Sequence, residues 1–113
     1  MLAQGRTRVA LIPGFGFAQA GPQREAALAA RWPEELLALY VLKSGHGTGA
    51  GLALLSAVLG AGPFSAVVLK CNGRACRFYE KTGGRLAEER PVTLGTRPII
   101  DLLYVWDNGL KLP

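Results

Sequence analysis

The chain has 113 residues, of which 50% are apolar and 19% charged, with a formal net charge of +5. That length predicts one domain, residues 1–113, with a single core, and the apolar fraction excludes a disordered tail. No apolar run reaches the ~18 residues of a membrane span, since the candidates 36–42 and 99–106 are strand-sized, and residues 1–8 lack the apolar centre and cleavage site of a signal peptide, so a cytoplasmic location is expected.

Along the chain, residues 9–12 and 15–20 read as two short antiparallel strands with turn chemistry at Pro13-Gly14 between them. The Ala-rich stretch 23–31, bracketed by Pro22 and Pro33, is expected to form a helical turn or two. Residues 34–42, nearly all apolar, are expected as a strand buried on both faces, ending in the glycine-rich turn 43–51. A helix is expected over 52–59, with Leu52, Leu55 and Leu59 on one face and Gly60, Gly62 and Pro63 closing it. Residues 64–70 read as a second buried strand. Strand, helix and strand with short joins predict a βαβ-like unit with parallel strands. Asn72 is placed to cap a further helix over 73–82, ended by Gly83-Gly84. The last strands, 86–92 and 98–106, are expected to pair antiparallel around Gly95. The fold class is therefore α/β or α+β with a mixed sheet.

Charge and cysteine use narrow the chemistry. The cations Arg6, Arg8, Lys70, Arg74, Arg77, Lys81, Arg85 and Arg97 are scattered, with no basic block, so a nucleic-acid surface rests on net charge alone, and a phosphorylated small ligand explains the excess equally well. Cys71 and Cys76 are too few for a disulfide framework and have no neighbouring histidine for a zinc site. Both are expected as reduced packing residues, and no metal is expected.

The turn His46-Gly47-Thr48-Gly49-Ala50-Gly51 joins a strand to a helix N-terminus. Amides in the first turn of a helix lack internal partners, the helix dipole adds positive potential, and glycines allow a phosphate to approach the backbone. The P-loop fits less well because Leu52, not Lys, follows Gly51, and the glycine spacing is not that of the dinucleotide fingerprint. A bare flexible turn would look the same if this segment stood alone.

It does not stand alone. From Leu39 the chain reads L-Y-V-L-K-S-G-H-G-T-G-A-G-L-A-L-L, and 21 residues beyond Gly51 it reads N-G-R-A-C-R-F-Y-E-K-T-G-G. In order and spacing these two segments resemble the signature regions of the Gcn5-related N-acetyltransferases, the [RQ]-x-x-G-x-[GA] loop after an E-L-x-x-L-Y-V strand and the N-x-x-A-x-x-F-Y-x-x-x-G helix. The ending G-x-x-x-x-x-x-L-x-Y-V-W-D is similar to the final strand of many bacterial members, and the resemblance runs over roughly residues 14–107.

The resemblance implies a mixed, mostly antiparallel sheet with flanking helices, an acyl-CoA N-acyltransferase-like fold in which a central parallel strand pair splays apart. It implies that Leu39, Tyr40 and Val41 run along the pantetheine arm of acetyl-coenzyme A. The diphosphate would rest on the amides of Gly47, Thr48, Gly49, Ala50, Gly51 and Leu52, and Asn72 would contact the arm as well as cap its helix. Tyr79 matches the tyrosine that protonates the departing thiolate, a suitable acid for that leaving group. Glu35 matches the family's frequent acidic position, where it would take the amine's proton through a water. Val67 stands where some members carry a second acid. His46 replaces the usual Arg or Gln and Lys43 the usual Pro, so His46 is expected at the cofactor with a weaker side-chain contact and without a catalytic part.

Members of this family normally open with a strand and two helices ahead of the hairpin, and here twelve residues precede Pro13. A domain so shortened is expected to expose apolar sheet and to associate as a homodimer or with a completing partner chain. The leading functional reading is direct attack of a small-molecule or peptide amine on acetyl-CoA in a ternary complex. Next stands a non-catalytic coenzyme A-binding module, which would bind without acetylating anything. Last is a small basic nucleic-acid binder, which would bind DNA or RNA in a salt-sensitive manner and ignore acetyl-CoA.

Overall fold

A computed structural model describes residues 6–111. Residues 1–5 of the segment read for a leader lie outside the described residues. Strands β1 (Arg8–Ile12) and β2 (Gly16–Pro22) form the first hairpin, with Arg8 opposite Ala20 and Ile12 opposite Gly16. A single helical turn, α1 (Ala26–Ala29), fills the interval between the two prolines. Then come β3 (Glu34–Val41), α2 (Ala50–Val58), β4 (Phe64–Leu69), α3 (Gly73–Lys81), β5 (Arg85–Leu94) and β6 (Arg97–Trp106).

The six strands form one sheet in the order β1-β2-β3-β4-β6-β5. Every neighbouring pair is antiparallel except β3 and β4. That parallel pair is short: only Glu34, Glu35 and Leu36 of β3 match Phe64, Ser65 and Ala66 of β4. At the same point the β2–β3 register slips, with Ala20 opposite Leu36 and Gln19 opposite Ala38, so Leu37 is an extra residue on β3. A bulge bends and twists the strand that carries it. Beyond it β3 follows β2 as far as Val41 while β4 follows β6, and the sheet opens like a V. The mixed sheet with a splayed parallel centre is the architecture that the resemblance implies.

One face of the sheet carries α2 and α3 over the main core, which joins Ala18, Ala20, Leu36, Phe64, Ala66 and Val68 to Leu54, Leu55, Val58 and Tyr79. The N-cap residue of α2, Gly49, makes no side-chain cap bond. A nine-residue helix is marginal by itself, so burial of Leu54, Leu55 and Val58, at about 1.5–3 kcal/mol each, is what holds it. The other face is covered at one end, where Trp32, Leu103 and Val105 pack with Leu28 of α1.

Several expectations need correction. The α2 helix starts at Ala50, two residues earlier than expected, because Gly49 in the left-handed region serves as its N-cap. The strands β3 and β4 are not buried on both faces. Tyr40 is 56% exposed and Val67 and Leu69 are each 42% exposed, because no helix among the described residues covers that part of the sheet. Cys71 is exposed rather than packed, while Cys76 is half-buried against the core.

Candidate functional site at the open centre of the sheet

The V between β3 and β4 leads into a cleft of about 800 Å³, bounded by the C-terminal half of β3, the glycine turn, the start of α2 and one side of α3. Its wall includes Leu39, Tyr40, Val41, His46, Gly47, Gly49, Gly51, Leu52, Asn72 and Tyr79, all named from sequence. It also includes Gly45, Arg74, Ala75, Arg77, Phe78 and Lys81, which the sequence does not assign to the site. Thr48 and Ala50 are not in the wall. Glu35 is also outside it.

The backbone of the turn decides what the cleft can hold. Residues 43–45 form a 3-10 turn, and three of the next amides are used internally: His46 N donates to the Lys43 carbonyl (3.1 Å), Thr48 N to the Gly45 carbonyl (3.3 Å) and Ala50 N to the Thr48 hydroxyl (3.2 Å). The hydroxyl in turn donates to the Gly45 carbonyl at 2.6 Å. The amides of Gly47, Gly49, Gly51 and Leu52 have no partner among the described residues, and all four residues line the cleft. The amides of Thr48 and Ala50, two of the six expected as donors, are engaged within the turn. Gly47 (φ 76°) and Gly49 (φ 85°) adopt backbone that L side chains rarely adopt, and a Cβ on either would meet open space within 4 Å. Gly51 serves differently: a Cβ there would stand 3.1 Å from the Phe78 ring, so its absence lets α3 lie against the first turn of α2.

His46 is held by its ring, Nε2 donating to the Val41 carbonyl at 3.1 Å, which ties the turn to the end of β3. Asn72 caps α3 through Oδ1, which accepts from Ala75 N at 3.2 Å, and its Nδ2 has no hydrogen-bond partner among the described residues. Tyr79 is 6% exposed, edge-on to Trp106 at 5.2 Å and tilted against Tyr104 at 5.9 Å. Its hydroxyl has no protein partner among the described residues, yet no polar side-chain atom there is both buried and unpaired. The small exposed part of the residue therefore includes Oη, at the cleft. Burial, with a smaller contribution from Cys76, pushes this phenol up to about 12. Burial and the 2.6 Å bond from its hydroxyl to Glu80 likewise raise Tyr104.

No family model matches the chain. It is 40% identical over 77 residues to an uncharacterized N-acetyltransferase of Mycobacterium tuberculosis and to one of Mycobacterium bovis, a match covering 63% of this chain and 49% of theirs. The chain thus spans about half the length of the curated relatives it matches. Among solved structures, Arabidopsis thaliana NAA60 in complex with acetyl-CoA superposes with a TM-score of 0.65 at 17% identity, over 82% of this chain and 65% of that one. A Bacillus subtilis acetyltransferase in complex with CoA superposes with a TM-score of 0.62 at 17% identity, over 94% and 78%. The chain has the Gcn5-related N-acetyltransferase fold.

Within that fold Glu35 stands apart from the other expected site residues. It lies on the opposite sheet face from Tyr79, since Leu36 next to it points into the main core. Arg24 binds it three ways, through its amide (2.9 Å), Nε (2.6 Å) and Nη2 (3.4 Å). Among the described residues there is no group of His, Cys, Asp or Glu that would hold a metal, and no helix long and apolar enough to cross a membrane. The cations of α3 look scattered along the chain, but Arg74, Arg77 and Lys81 recur at helical spacing and share the cleft. Their spacing along a helix is the signal in the sequence, and a contiguous basic run is absent.

Proposed function

We propose that this protein is an N-acetyltransferase that transfers the acetyl group of acetyl-CoA to an amine. The observation that carries the reading is the set of four unpartnered amides, Gly47, Gly49, Gly51 and Leu52, at the mouth of α2. They offer converging N–H donors in the positive field of a helix N-terminus, which suits a diphosphate. Where β3 has left β4, the backbone of Leu39, Tyr40 and Val41 meets no neighbouring strand on that side and can hydrogen-bond the amides of a pantetheine arm. The free Nδ2 of Asn72 donates to the same arm. With its ring tied to the Val41 carbonyl and its amide to that of Lys43, His46 lines the cleft and shapes the turn.

In this reading the amine attacks the thioester carbonyl directly, the C–S bond breaks, and the leaving sulfur takes the proton of Tyr79. The phenol stays protonated throughout the neutral range and is always ready to donate. Glu35 receives the amine's proton through a water from the other sheet face. Its partner Arg24 has a side chain 74% exposed and can be displaced by an arriving substrate. Acceptors are small-molecule or peptide amines, and the protein works in the cytoplasm, where acetyl-CoA is available.

A thermal-shift titration with acetyl-CoA, followed by thiol release with a panel of amines, tests this reading. Saturating ligand at a hundred times its Kd is expected to add about 2.7 kcal/mol of stability. Absence of any shift removes the cofactor, and a shift without thiol release for any amine leaves a binding module. In the same assay Glu35→Gln is expected to slow release; an unchanged rate ends the role of Glu35.

We also propose association through the uncovered sheet face. Leu11, Phe17 and Tyr40 stand in one cross-strand row, 67%, 37% and 56% exposed, with Val9, Val67 and Leu69 on the same face. A contiguous apolar surface of this kind favours burial against a second copy or a partner chain. Sedimentation at micromolar concentration is expected to show a dimer. A compact, stable monomer overturns this.

A further inference from the structure

We infer that the end of the β5–β6 hairpin, residues 91–100, is where a second copy of the chain docks, in a two-fold arrangement that sets Arg97 of each copy against Asp101 of the other. This pairing rests on the association proposed above and gives it a place on the sheet and a set of residues.

The hairpin outruns the sheet. Strand β4 accompanies β6 only from Phe64–Trp106 to Leu69–Asp101, and the bond from Lys70 N to the Ile100 carbonyl (2.9 Å) ends the third strand. Beyond it the chain is a ribbon of two strands, with Leu94 69% exposed and Val92 and Ile100 also in solvent. Two strands alone are marginal in water, and packing against a further surface steadies them. The cross-strand pairs Val92–Ile99 and Leu94–Arg97 lie on the same sheet face as Arg90–Asp101 and Leu103. That is the face carrying Val67 and Leu69.

The charges on the ribbon point to its occupant. Every carboxylate except Asp101 has a side-chain partner among the described residues. Arg90 stands across the strand from Asp101, but its guanidinium is engaged by Glu25 and Glu88. Arg97 has no ion pair among the described residues either. These two unpaired charges stand two residues before and two after Ile99 on β6. A second copy laid face to face, about a two-fold axis crossing the strands at Ile99, therefore neutralises both. Ile99 meets the partner's Ile99, Val92 meets the partner's Val92, and Arg97 meets the partner's Asp101 at two equivalent places. Leu94 falls on the aliphatic stem of the partner's Arg90. Sheets packed in this way stand ~10 Å apart, a gap that an arginine and an aspartate side chain span together. A partner of another sequence would have to present this same pattern in reverse, and the chain itself already does.

Sedimentation of the intact chain beside two charge-reversed variants tests the pairing. Arg97→Asp sets acid against acid and Asp101→Arg sets cation against cation, each at two places in the dimer. Either change is expected to weaken self-association on the order of a hundredfold and to leave a monomer at micromolar concentration. An equimolar mixture of the two variants restores both ion pairs and is expected to sediment as a dimer. The double variant Arg97→Asp, Asp101→Arg should do the same by itself, which also shows that the substituted ribbon folds. A parent dimer that neither change weakens overturns docking at the ribbon and leaves the association to the rest of the sheet face. Loss in both variants without recovery in the mixture or the double variant overturns the two-fold pairing. A monomeric parent overturns the pairing and the association together, and leaves the ribbon to a partner of another sequence.

Discussion

Replacing Tyr79 with phenylalanine is expected to slow acetyl transfer on the order of ten- to a thousandfold, the usual range for losing a general acid, while the affinity for acetyl-CoA is retained. The split follows from the site. The amides proposed to hold the cofactor belong to the turn and to α2, whereas the Tyr79 hydroxyl has no partner among the described residues. The phenylalanine ring preserves the edge contact with Trp106, so the fold should be little affected. A second readout comes from alkali. The phenol titrates near 12 in the folded chain and near 10 when unfolded, so its contribution to stability is complete below pH 10 and is lost as pH rises through 12. A displacement of that size corresponds to roughly 2–3 kcal/mol. The variant should lose less stability than the parent between pH 10 and 12, with the remaining loss traceable to Tyr104, which is shifted in the same direction. Steady-state rates with both substrates varied, together with urea melts across that pH range, measure both effects. A normal rate removes Tyr79 from the mechanism.

Trp106→Ala is expected to be the most damaging single change to stability, costing about 3–5 kcal/mol. Trp106 is completely buried at the end of β6, stacked on Phe64 at 4.3 Å, in edge contact with Tyr79, and donating from Nε1 to the Thr82 hydroxyl at 3.1 Å. Its removal leaves a cavity where β4, β6 and α3 meet. Domains of this size have about 5–15 kcal/mol of total stability, so the variant should sit close to unfolding at ambient temperature. Urea denaturation gives the number directly, and a loss below about 1 kcal/mol would show that the aromatic cluster is not the keystone described here. Because Tyr79 leans on this ring, activity should fall even in the fraction that stays folded.

The glycine turn shows where sequence reading succeeds and where it stops. That a strand ends, glycines follow and a helix begins is visible in the residue types, and the unpartnered amides follow from helix geometry. Which amides remain free is not visible, because the Thr48 hydroxyl decides it by bracing Ala50 and reaching back to Gly45. Glu35 shows a different gap. Its motif position suggests the proton acceptor, but the ion pair with Arg24, eleven residues away along the chain, is not visible in that match.

By itself the sequence determined the order of elements, the parallel strand pair, the glycine turn at a helix start and the presence of Tyr79 on the following helix. These depend on local propensity and periodicity, which neighbouring residues encode. Tertiary structure alone decided where β3 and β4 part, since the bulge at Leu37 is a matter of register with β2. It also decided that α3 and the glycine turn border one cleft and that Arg24 reaches Glu35. Register, facing and shared space are relations between segments distant along the chain, and no local pattern carries them.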